Sequence, residues 1–191
     1  MNIRILVFEG ADEIDFIAPL EIFRRAAKYA SGIHVRLVTL EARESVTAAY
    51  GLRVVPDGVL EDAVSLLIVP GGGWAARAPL GIRSEIEKGD LVNRIAALHS
   101  HGTIVVGVCT GAMALAAAGL LKGRRAVTHR AALPDLQAVA GEVVFSRVVD
   151  DGSVVTCGGV TSSIDLALHL VERFWGHGIA ERVASEMEYA R

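Results

Sequence analysis

The sequence is poor in the residues that staple or stiffen a chain. Its 191 residues include only two Cys and five Pro, and aromatics make up 5%. Two cysteines, Cys109 and Cys157, allow one bridge at most, so a disulfide scaffold is excluded and a reducing compartment is the default. Charge of one sign is lacking too. Lys and Arg number 19 against 22 Asp and Glu, a formal net charge of −3, which gives no generic pull toward nucleic acid or an anionic membrane. Charges interrupt every apolar stretch before the roughly 18 residues that a membrane span needs. The apolar N-terminal run ends at Glu9, too early for a secretory signal. There is no internal repeat, low-complexity tract or linker. The six histidines form no H-E-x-x-H, the two cysteines form no C-x-x-C, and no Gly-Lys-Ser/Thr follows Gly71-Gly72-Gly73. The motifs therefore imply no metal and no cofactor. The expected location is cytoplasmic.

Hydrophobic residues reach 52% and charged ones 21%, a composition rich enough to build a core without staples. At about 150 residues per domain, the length suggests one domain over 1–191. Short β-branched runs at 3–8, 35–40, 65–69 and 103–108 read as strands. Helical periodicity covers 14–30, 86–99, 111–121, 131–139, 164–175 and 179–189. Pro19 should kink the first helix or mark its true first turn. Hairpins are expected around Tyr50-Gly51 and Asp150-Asp151-Gly152. Strands alternating with helices, and apolar on both faces, predict a three-layer α/β sandwich with a mostly parallel, doubly wound sheet. Active sites in such sheets lie at the carboxyl ends of the strands.

One such end reads Gly107-Val108-Cys109-Thr110-Gly111, between an apolar strand and an Ala-rich segment. G-x-C-x-G here has the spacing of a nucleophile elbow, with sulfur for oxygen. The glycines let strand and helix pass closely while Cys109 takes strained backbone angles. A helix N-terminus is expected to lower the thiol pKa. The Thr110 amide is one candidate oxyanion donor, and Gly71 and Gly72, at another strand end, supply the rest. Without the elbow, Cys109 would read as a small core residue and the glycines as a plain turn.

Together, Pro70-Gly71-Gly72, the Cys109 elbow, Thr128-His129 and the run Gly158 to Leu168 resemble the ThiJ/PfpI superfamily, which has the class I glutamine-amidotransferase-like fold. The segment Asp15 to Phe23 is similar to the isonitrile hydratase pattern D-x-x-G-P-x-x-V-F, departing from it at Ala18 and Ile22. The resemblance makes Asp15 the acid partner of Cys109, a position where protease-like and deglycase-like members carry glutamate. Thr110 follows the cysteine where protease-like members have histidine, so the Cys-His pair for peptide hydrolysis is missing. The implied activity is hydration of an isonitrile to an N-substituted formamide. Cys109 would attack as thiolate, Asp15 would serve as acid and base, and Thr110 would hold the network. The alternatives are glyoxalase or deglycase chemistry, or a redox or ligand sensor without turnover. The implied partners are a small-molecule substrate and a second copy of the chain in a homodimer. With both groups adjacent, thiolate beside protonated Asp15 is the expected resting state.

Other features have plainer readings. His129 is expected to line the cleft or meet the partner subunit. His99-Ser100-His101 reads as a polar helix terminus, Cys157 as structural, and Glu9 as a strand-end residue outside the catalytic set.

Overall fold

The computed structural model describes residues 1–191. In chain order its elements are β1 (Asn2–Leu6), α1 (Glu13–Ala26), β2 (His34–Thr39), β3 (Val46–Thr47), β4 (Arg53–Val54), β5 (Gly58–Val59), β6 (Leu66–Val69), α2 (Ile82–Lys88), α3 (Asp90–Ser100), β7 (Ile104–Gly107), α4 (Ala112–Ala117), β8 (Arg125–Ala126), α5 (Leu133–Gln137), β9 (Glu142–Val143), β10 (Val148–Asp150), β11 (Val154–Cys157), α6 (Ser162–Trp175) and α7 (His177–Glu186). The main sheet has seven strands in the order β10-β11-β7-β6-β1-β2-β5. All its neighbours run parallel except β10, which pairs antiparallel with β11 through the expected Asp150–Gly152 turn. Helices α1, α6 and α7 pack on one another over one face, and α2, α3 and α4 group beside β7 over the other. Every residue of β6 and of β11 is buried. Two-sided burial is the reason these strands read as unbroken apolar runs rather than alternating ones. No helix is long and apolar enough to cross a membrane.

Several boundaries differ from the sequence expectation. Helix α1 begins at Glu13, with the Asp12 carboxylate accepting from Ile14 N–H at its N-cap, and runs through Pro19. Proline therefore marks neither a break nor the first turn. Its ring is buried, which offsets the hydrogen bond it removes from the Asp15 carbonyl. The 86–99 segment is two helices, parted by Gly89 at φ 87°. The Ala-rich helix after Cys109 is only Ala112–Ala117 and does not reach Leu121. The 131–139 helix shrinks to Leu133–Gln137 behind one turn of 3₁₀ helix.

One crossover lacks a helix. Between β2 and β6 the chain makes the β3–β4 hairpin and the two-residue strand β5. A parallel connection ordinarily lays a helix over the sheet.

Candidate active site

Cys109 stands directly beyond β7 at φ 54°, and a 3₁₀ turn (Cys109–Gly111) carries the chain into α4. The left-handed region is costly for a residue with a Cβ, and such strain persists only where the surroundings enforce it. Here they do. A Cβ on Gly107 would sit 2.7 Å from Ala112 Cα, and one on Gly111 would sit 2.0 Å from the Val69 carbonyl oxygen. Both glycines are needed for the strand and helix to pass so closely. Thr128 Oγ1 donates to the Cys109 carbonyl at 2.8 Å and pins the corner from a third side.

The side chains expected to work together do meet. Asp15, from the first turns of α1, is fully buried, and its Oδ2 accepts from Gly71 N–H at 2.9 Å. Its Oδ1 is buried without a hydrogen-bond partner. The Cys109 thiol, 5% exposed, is near enough for each group to shift the other's titration, and no hydrogen bond joins them. Thr110 Oγ1 accepts from Gly72 N–H at 3.1 Å. A Cβ on Gly71 would lie 2.4 Å from Thr110 Oγ1 and 3.1 Å from Asp15 Oδ2. Only glycine lets the acid and the threonine close around that backbone.

Two expectations are corrected here. Gly71 and Gly72 do not offer free oxyanion donors, because their amides are spent on Asp15 and on Thr110. The amides that pull the Cys109 pKa down are those of Val160 and Thr110. The second correction concerns the thiolate. Burial, and then the Asp15 charge, push the Cys109 thiol up to about 12, against the opposing pull of the Val160 and Thr110 amides. Burial and the neighbouring Asp12 also hold Asp15 well above the usual carboxylate range. Cys109 therefore rests as a thiol at neutral pH, and Asp15 holds its proton to higher pH than an ordinary carboxyl. Helix α4, one short element behind a 3₁₀ turn, supplies too small a dipole to outweigh the loss of solvent.

His129 is half-buried, and its Nδ1 accepts from Ala131 N–H at 3.1 Å, so the ring caps the following 3₁₀ turn. It also packs on Gly159, where a Cβ would meet its Cδ2 at 2.3 Å. It makes no hydrogen bond to Cys109. His99 and His101 bond the Thr103 and Ala97 carbonyls at a helix end. No group of three or more metal-ligating side chains is assembled anywhere.

Sequence reasoning missed Val160, at φ 37°, whose contribution is a backbone amide. A β-branched residue signals nothing of that geometry. It also missed Asp12, which raises Asp15. Its spacing three residues before Asp15 on a helix start was the available signal.

The description "DJ-1/PfpI family" belongs to the family model that matches residues 1–173. Isonitrile hydratase of Pseudomonas putida is 33% identical, covering 100% of this chain and 79% of that protein. Protein DJ-1alpha of Drosophila melanogaster is 28% identical, covering 97% and 83%. Among solved structures, oxidized DJ-1 of Toxoplasma gondii superposes with a TM-score of 0.81 at 24% identity, over 100% of this chain and 99% of that one.

Proposed function

The chain belongs to the DJ-1/PfpI family, and from that premise we propose that it is a cysteine-dependent enzyme acting on a small molecule, hydrating isonitriles to N-substituted formamides. The observation that carries this reading is the buried pair. A buried thiol and a buried carboxyl shift each other's pKa at one strand end, Asp15 Oδ1 has no hydrogen-bond partner, and a threonine rather than a histidine follows the cysteine. The likeness to isonitrile hydratase supports the choice of substrate.

An isonitrile needs a nucleophile and a proton at the same terminal carbon, and a thiol–acid pair holds both. Cys109 sulfur forms the C–S bond while Asp15 gives its proton to that carbon and takes the thiol proton. The product is a thioimidate. Asp15, protonated again, passes its proton to the nitrogen and takes one from the attacking water, giving a tetrahedral R–NH–CH(OH)–S adduct. The C–S bond then breaks as Asp15 gives its proton to the sulfur and takes the hydroxyl proton, and the formamide R–NH–CHO leaves. The Thr110 and Val160 amides stabilise charge on the sulfur as it attacks and departs. Thr110 Oγ1, held by Gly72, is a positioning group for this network.

We further place the enzyme in the cytoplasm, in keeping with two unbridged cysteines, and as a homodimer. Exposed Ile14 and Ile17 on α1 are apolar surface that a second copy would cover. The test is a substrate panel of an aliphatic isonitrile, methylglyoxal and a peptide, followed by NMR. Formamide from the isonitrile alone is the expected result. Turnover of methylglyoxal alone would replace this reading with a glyoxalase-type activity. No turnover of any substrate would favour a sensor.

A further inference from the structure

A cavity of about 460 Å³ opens at the carboxyl ends of β1 and β2, walled by α2 and α3. It contains neither Cys109 nor Asp15. Its size falls in the range of about 300–1,000 Å³ that holds small ligands. The missing crossover helix explains it, since nothing fills the space that such a helix would occupy. The floor is apolar and buried: Val7, Phe8 and Leu60, with Thr39 beside them.

The charges around this floor are not balanced. Glu85, from α2, is a buried residue whose carboxylate faces only one cation, Lys88 Nζ at 2.6 Å. Lys88 is itself 54% exposed, a flexible surface ammonium held by one contact. Arg94 is already committed to Asp62 at 2.6 Å and to the Leu60 carbonyl at 3.2 Å. The lining holds four carboxylates, Glu9, Glu41, Glu85 and Asp90, against three cations, Arg43, Lys88 and Arg94, with Glu41, Asp90 and Arg43 on the exposed rim. With Arg94 committed elsewhere, the excess of negative charge favours a positive guest.

We propose that this cavity is a second ligand site, separate from the thiol, and that it takes a small organic amine. The ammonium replaces Lys88 at the Glu85 carboxylate, and the apolar body lies on Phe8 and Leu60. Lys88 reaches Glu85 from within the same helix, at i and i+3. It satisfies the acid in the empty site and can swing to solvent when a ligand ammonium arrives.

Amide shifts of the isotope-labelled full chain, titrated with phenethylamine and with 3-phenylpropionate, test the proposal. Phenethylamine should give saturable shifts at Phe8, Leu60 and Glu85, and 3-phenylpropionate should give none. Glu85→Gln should weaken the amine about tenfold or more, the scale of a lost charge-assisted hydrogen bond. Lys88→Met, which removes the internal competitor, should tighten it, and this arm stands even if Glu85→Gln misfolds. Cys109→Ser should leave amine binding unchanged. The proposal is overturned if no saturable shift occurs, if 3-phenylpropionate binds as well as the amine, if Lys88→Met weakens binding, or if the shifts centre on Cys109 and vanish in Cys109→Ser.

Discussion

Asp15→Asn isolates the coupling between the acid and the thiol. In the native protein burial is the larger cause of the high thiol pKa of about 12, and the Asp15 charge is the next. At about pH 8 only about one thiol in ten thousand is then ionised. Alkylation by iodoacetamide should climb roughly tenfold per pH unit between about pH 7 and 10, without the plateau that an ordinary thiol near 8.5 would show. Asparagine keeps an oxygen for the Gly71 amide but removes the charge. For charges about 4 Å apart at an effective dielectric near 20, the repulsion is about 4 kcal/mol. The gain in thiolate is therefore at most about a thousandfold. The gain has a threshold, because Asp15 is itself raised by burial and by Asp12. Below the pH at which Asp15 ionises, native and variant thiols should react alike. Above it the variant should be faster, and burial should still keep its thiol harder to ionise than a free cysteine. Intact-mass kinetics across the pH range read this directly. A native rate that levels off below about pH 8, or a variant slower at every pH, would refute the reasoning.

Alkaline stability follows from the same burial. A thiol raised from 9.0 to about 12 makes folding less favourable by about 4 kcal/mol once pH has risen through both values. Cys109→Ser should lose this penalty and resist alkaline unfolding, as followed by circular dichroism. Gly111→Ala forces a Cβ to within 2.0 Å of the Val69 carbonyl, so calorimetry should show a loss of about 3 kcal/mol or more, or about 6–12 °C in Tm for a chain of this size. Thr110→Val leaves the buried Gly72 amide without its acceptor and should cost about 1–3 kcal/mol in a denaturant titration. For Asp150, burial pushes the carboxyl up, but the His169 bond, the Gly152 amide and Arg173 together hold it below 3.8. The stability it contributes is present above that value and lost as pH falls through the folded pKa. Asp150→Asn should flatten the acid limb of the stability curve.

The legible parts of the molecule are those where a residue type has one physical use. Two glycines bracketing a cysteine after an apolar strand have a steric purpose, and the structure meets it at Cys109. The doubly apolar strands led to the mostly parallel sheet for the same reason. Gly89 was passed over inside one apparent helix because the apolar period continues across it, although only its left-handed φ divides α2 from α3. The roles of Gly71 and Gly72 were misassigned because composition says that an amide is accessible, not which acceptor takes it. The thiol pKa was misjudged because motif logic contains the helix dipole but not the depth of burial, which wins here. Val160 was invisible because its amide, not its side chain, reaches the sulfur.

The most direct test of a Cys109–Asp15 hydration is intact-mass spectrometry of rapidly quenched protein mixed with an aliphatic isonitrile, with formamide measured in parallel. Native protein should release formamide. Asp15→Asn, which can neither protonate the isonitrile carbon nor take the thiol proton, should slow adduct formation and formamide release together. Cys109→Ser should show neither adduct nor product. Formamide formation by Cys109→Ser at the native rate, or undiminished turnover in Asp15→Ala, would contradict the assignment of the pair.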